Sequence, residues 1–134
     1  MNIKYLIVLA ALSSPVFAQE PVPAAEFDNY SVGTTLYFTK DGMFYGSEQF
    51  LEDRKSVWRA EDGSCVNGSW VEIEGGICFT YDGRSNSHCW ALTREDGKIT
   101  IESMFATPTQ PSTMLEVSGQ DTVPIICTGP SVGA

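Results

Sequence analysis

The chain has 134 residues, with 17 acidic against 8 basic side chains and a formal net charge of −9. So acidic a surface repels phosphate backbones and anionic lipid, which argues against nucleic-acid or membrane-surface binding. The length allows a single domain with one modest core.

The first eighteen residues read as a secretory signal peptide. Lys4 supplies the positive start, residues 5–12 form the apolar core, and Ser13, Ser14 and Pro15 break it ahead of a small-x-small site ending at Ala18. The apolar run is too short to span about 30 Å of hydrocarbon, and Gln19, rather than a cysteine, follows the expected cut. No later segment is apolar enough to cross a membrane. Cleavage removes one basic residue and no acidic one, leaving 116 residues with a charge of −10. The expected location is periplasmic or secreted.

Residues 19–30 read as a flexible leader, with Pro21 and Pro23 among small residues and with Phe27 and Tyr30 beginning to dock on the domain. From residue 31 to 134 the expectation is one β domain with an irregular C-terminal tail. Asp41-Gly42, Asp62-Gly63, Gly75-Gly76, Asp82-Gly83 and Asp96-Gly97 punctuate it. Such pairs suit type I′ turns, where both central residues need positive φ. Between them lie aromatic and β-branched runs at 34–40, 43–51, 56–60, 65–73, 77–81, 88–93 and 98–104. This pattern predicts an all-β fold, an antiparallel meander curled into a small disulfide-braced barrel or half-barrel. Asn67-Gly68 is read as a bulge within its strand. Beyond a Pro-containing loop at 107–113, residues 114–117 are expected as an edge strand or one helical turn, and 123–127 as a last strand.

Four cysteines, Cys65, Cys78, Cys89 and Cys127, fit an oxidising compartment and allow three pairings. Strand alternation turns Ile77, Phe79 and Tyr81 to one face and Cys78 and Thr80 to the other. Cys78 then lies near Cys89 on the next strand, which favours a Cys78–Cys89 bridge and leaves Cys65 with Cys127. The other pairings stay open. The spacings contain no C-x-x-C pair for a zinc site.

No catalytic constellation stands out, so no enzyme activity, cofactor or metal is expected. His88, the single histidine, adjoins Cys89, but a disulfide-bonded cysteine is no nucleophile. There is no Gly-x-Ser-x-Gly elbow and no phosphate-cradling loop. The polar group that draws interest is Glu48, in an aromatic strand where alternation gives it a face with Phe44, Gly46 and Phe50. A carboxylate on an apolar face needs a cation or donors, which Arg54 or Arg59 would supply. Glu48 is therefore either half of a structural ion pair or the polar anchor of a ligand pocket. The candidate binding residues are Tyr45, Glu48, Arg54, Trp58, Trp70 and Trp90.

Tyr45-Gly46-x-Glu48-Gln49, Arg54, Trp58, Gly63-x-Cys65, Gly68-x-Trp70, Ile77-Cys78-Phe79, Cys89-Trp90 and Cys127-Thr-Gly-Pro together resemble a family of small exported bacterial proteins of unknown function. That resemblance implies no activity. Gly68-x-Trp70 is also similar to the Gly-x-Trp of lipocalin-like barrels, though here it is central rather than near the chain start, and the likeness concerns fold alone. The expected function is that of a binding or inhibitory module acting non-covalently, on a small apolar ligand or on a basic envelope protein such as a lysozyme-like enzyme. The alternatives are a structural or envelope-stress protein without a ligand and, third, an enzyme.

Overall fold

Eight antiparallel strands close into an up-and-down barrel in the computed structural model, which describes residues 12–13 and 19–128. The expected signal peptide lies outside the described residues except at positions 12 and 13, as do residues 129–134. Among the described residues, no helix is long and apolar enough to cross a membrane.

The chain opens with a two-residue strand β1 (Glu20–Pro21) and a helix α1 (Ala24–Ser31). The barrel strands are β2 (Thr35–Lys40), β3 (Met43–Phe50), β4 (Lys55–Ala60), β5 (Cys65–Ile73), β6 (Gly76–Tyr81), β7 (His88–Glu95), β8 (Lys98–Ser103) and β9 (Met114–Asp121). Each pairs with its neighbour in sequence, and β9 pairs back onto β2, closing the ring. Seven of these strands match the runs expected from sequence to within two residues. The eighth, β9, was expected as an edge strand or a helical turn. It extends to Asp121 instead and lies between β8 and β2, so it has no free edge.

Alternation sends Leu36 and Phe38, Phe50, Trp70, Ile77 and Phe79, Leu92, Ile99 and Ile101, and Leu115 into the barrel, where all are buried. The strands run alternately up and down, so the connections fall into two sets. One end carries the β3–β4, β5–β6 and β7–β8 turns, and α1 closes it. The other carries the β2–β3, β4–β5, β6–β7 and β8–β9 connections and is open.

Residues 19–30, read from sequence as a flexible leader, are built into this closure through β1 and α1. Pro23 holds an extended conformation at the helix start, where its missing N–H costs nothing. Ala24, Phe27 and Ser31 share the inward face of α1 and are buried. Phe27 packs edge-on against Phe50 at 5.3 Å and Trp70 at 5.7 Å between ring centres. Burying a ring of this size contributes about 1.5–3 kcal/mol. β1 completes the wall: β6 covers only His88 to Trp90 of the β7 edge, and Glu20 and Pro21 pair with Arg94 and Thr93 farther along.

Both disulfides form, Cys65–Cys127 and Cys78–Cys89. Cys78 and Cys89 are direct partners across β6 and β7. Cys65–Cys127 fastens the tail after β9. Residues 123–127, expected as a strand, are not one. They lie across the barrel wall, held by Thr35 Oγ1 donating to the Val123 carbonyl (2.7 Å), the Ile125 N–H donating to Gln49 Oε1 (3.1 Å) and Arg59 Nε donating to the Ile126 carbonyl (3.0 Å). Such a tether satisfies backbone groups without a ladder.

The turns divide. Asp41-Gly42 and Asp96-Gly97 have positive φ at both residues, as a type I′ turn requires. In Asp62-Gly63 and Asp82-Gly83 only the glycine does, because both sit in connections longer than two residues. Gly76 pairs with Ile73 in the ladder, so that the β5–β6 turn is Glu74-Gly75.

Candidate ligand site at the open end

Two glycines seat the aromatic rings of the interior wall. Gly68 lies in a regular register against both β4 and β6, so the bulge expected there is absent. Its partner across the ladder is Tyr81, whose ring crosses its backbone: a Cβ on Gly68 would fall 2.7 Å from Tyr81 Cδ1. Gly46 plays the same part for Trp58, with 2.5 Å to the indole atoms Cζ2 and Cη2. Beside Gly46 the β2–β3 register skips Tyr45. That irregularity breaks the alternation assumed from sequence: Phe44, expected to share the face of Glu48, is exposed. Tyr45 packs on Trp58 at 5.8 Å between ring centres.

These rings surround a cavity of about 140 Å3 that opens between the loops of the open end. Phe38, Phe79 and Leu115 line its walls, Phe27 and Phe50 reach it from the closed end, and Tyr45, Trp90, Arg84 and His88 stand on the side of the mouth. A wider cleft adjoins the mouth. It lies between residues 85–90, from the β6–β7 connection and the start of β7, and residues 103–113, from the end of β8 and the β8–β9 connection, and it shares Tyr45, His88 and Trp90 with the cavity.

Glu48 lies in the cavity wall, 4 % exposed. The Tyr81 hydroxyl donates to both carboxylate oxygens, at 3.0 and 3.2 Å. No ion pair involves Glu48 among the described residues. Burial pushes its carboxyl up to about 7, against which the hydroxyls of Ser56 and Tyr81 pull more weakly. Ser56 Oγ is itself buried and completes no hydrogen bond, so it acts here as a nearby dipole rather than as a formed donor. Burial also raises Tyr81, as do the Glu48 charge and the hydrogen bond to it.

The expected cation is therefore elsewhere. Arg54 is at the closed end, its guanidinium 4.7 Å from the centre of the Trp70 ring and 3.8 Å from Asp28 on α1. Asp53 and Arg54 both have positive φ, and this bend of the β3–β4 connection carries Arg54 over the end of the barrel. Arg59 lies outside, on the tail. Of the six binding residues expected from sequence, Tyr45, Glu48, Trp58 and Trp90 line the cavity, whereas Arg54 and Trp70 do not. Trp70 is buried core under α1.

Sequence reasoning missed Tyr81, Arg84 and His88 as parts of this site. For Tyr81 a signal was present, since alternation already put it on the face of Ile77 and Phe79. Arg84 sits in a loop whose course no pattern fixes. His88 was weighed only as a partner for Cys89. That cysteine is bonded to Cys78, which removes the Cys-His pair.

The site belongs to a small, disulfide-braced, closed β-barrel with an aromatic cavity at one end. No family model matches the chain, and no curated protein or solved structure matches it. Its chemistry follows from the geometry alone: a shaped apolar chamber, one buried carboxylate, and a hydroxyl fixed against it.

Proposed function

We propose that this is an exported binding module that takes a small ligand non-covalently in the open-end cavity. The observation that carries the reading is Glu48: a carboxylate buried among aromatic rings with no ion-pair partner among the described residues. Structural packing does not call for such a group, and it is held at a cost to stability. The size of the cavity supports a small ligand or the end of a longer one, since a chamber of about 150 Å3 holds one benzene. The two disulfides fit an oxidising, periplasmic or extracellular setting. Catalysis forms no part of this reading.

One further observation favours an inhibitory form of the same module. Met43, Phe44 and Phe105 are exposed at the open end, whose connections also carry the acidic Asp41 and Asp82. Exposed apolar side chains on an end that also carries acids suit a basic envelope protein whose side chain enters the cavity.

Thermal-shift measurements on the mature protein, against small apolar ligands and basic envelope enzymes, test the proposal. A ligand at a hundredfold excess over its Kd stabilises the fold by about 2.7 kcal/mol. The expected result is a hit that Trp58→Ala abolishes. Silence across the set would contradict the proposal and favour a structural protein without a ligand.

A further inference from the structure

We infer that the cavity is a receptor for an organic ammonium ion, whose charge sits against Glu48 and whose alkyl groups lie on the faces of Trp58, Tyr45, Phe38 and Tyr81. The inference rests on the pocket reading above and names the ligand class of that same site.

Three features select this chemistry. The first is the charge of the wall. Glu48 is buried, and the two arginines near it in sequence are engaged elsewhere: Arg54 on Trp70 and Asp28, Arg59 on the tail. An anionic ligand such as a fatty acid would meet this carboxylate with like charge. A neutral apolar ligand would leave it uncompensated. A cation supplies what the fold does not.

The second feature is the rings. Trp58 stands 5.8 Å from Tyr45 and 6.1 Å from Phe38, tilted to both. Tyr81 lies nearly parallel to Phe79, 6.0 Å away. All of these rings line the chamber, and aromatic faces attract alkylated cations within about 6 Å of the ring centre.

The third feature is the scarcity of oxygen and nitrogen donors, which disfavours a metal ion. Among the described residues no three metal-ligating side chains converge. Calcium takes six to eight oxygens, whereas this chamber offers one carboxylate and two hydroxyls. An ammonium ion clothed in methyl or methylene groups needs no such shell. Among the described residues Arg84, exposed at the mouth, is an opposing cation in the lining; its charge acts on Tyr81, but it forms no ion pair with Glu48.

Calorimetric titration of the mature protein with choline, and with the neutral analogue in which carbon replaces the quaternary nitrogen, tests the inference. The two probes share a shape and differ in charge. Wild type at pH 8 should bind choline at least about tenfold more tightly than the analogue. Glu48→Gln should abolish that preference while retaining the analogue. Lowering the pH to 5 should weaken choline binding as Glu48 takes up its proton. The ionisable groups facing the cavity alongside it are Tyr45, Tyr81, Arg84 and His88, of which His88 carries the imidazole that a control must remove. His88→Gln must therefore keep the pH response. Equal binding of both probes, or binding of the analogue alone, would overturn the cation assignment and leave the pocket reading standing. Binding of neither overturns the assignment too, and the thermal-shift hits then decide the pocket reading separately.

Discussion

Gly46 and Gly68 show how single residues build the chamber. Neither has positive φ, so neither is there for a turn. Each is a glycine because an aromatic ring from the next strand lies across its backbone. Gly68→Ala would push the Tyr81 ring off its seat and disturb the hydroxyl held on Glu48. The expected cost is about 1–3 kcal/mol, the range for overpacking a filled interior. Gly119→Ala is the control: its Cβ would meet Tyr37 Cδ2 at an ordinary 3.5 Å, and the backbone there is extended. Urea melts of the two variants should show a clear loss for the first and little change for the second. Equal effects would mean that the Tyr81 ring can yield.

Among the elements, the two disulfides do unequal work. Cys78–Cys89 joins positions 11 residues apart, whereas Cys65–Cys127 joins positions 62 apart. On the chain-entropy account the first contributes about 3 kcal/mol and the second about 4 kcal/mol. The second also fixes the tail across β2, β3 and β4. Replacing Cys65 and Cys127 by serine together should lower the denaturant midpoint more than replacing Cys78 and Cys89, and should release the Ile125 and Thr128 N–H groups, which donate to Gln49 Oε1 and the Gly63 carbonyl, to fast hydrogen exchange. The Arg94–Glu26 pair that ties α1 to β7 is solvent-exposed on both sides and contributes little beside them. The weight of α1 rests on Phe27.

At the scale of the whole molecule, the barrel was largely legible and its closure was not. Asp-Gly punctuation and alternation marked seven strands, because turn chemistry and a one-sided core each leave a local trace. β9 left a weaker one: it contains Ser118-Gly119-Gln120-Asp121, polar residues that carry no strand pattern, and the β2–β9 register skips Ser118. α1 escaped notice because eight residues with three inward positions span too few turns to display a helical period. The site was legible in part. Glu48, Trp58, Tyr45 and Trp90 stood out as polar or bulky residues in a β pattern. Arg54 misled, because closeness in sequence says nothing about which end of a barrel a loop crosses. That misplacement decides the meaning of Glu48, since a carboxylate without its arginine is not half of a structural ion pair.

If Glu48 is kept for a ligand at the fold's expense, the stability of the protein must fall as pH rises. The folded-state carboxyl titrates near 7 and the unfolded one near 4.5. Between these values the native state holds a proton that the unfolded state has lost, so rising pH destabilises the wild type. The loss is absent below about pH 4.5, complete above about 7, and about 3 kcal/mol in size. Gln at this position is neutral throughout. Denaturant melts of wild type and Glu48→Gln should therefore give similar stabilities at pH 4.5, with the variant more stable than wild type at pH 8. A variant less stable than wild type at both pH values would show instead that Glu48 is a structural partner whose removal leaves another group unpaired.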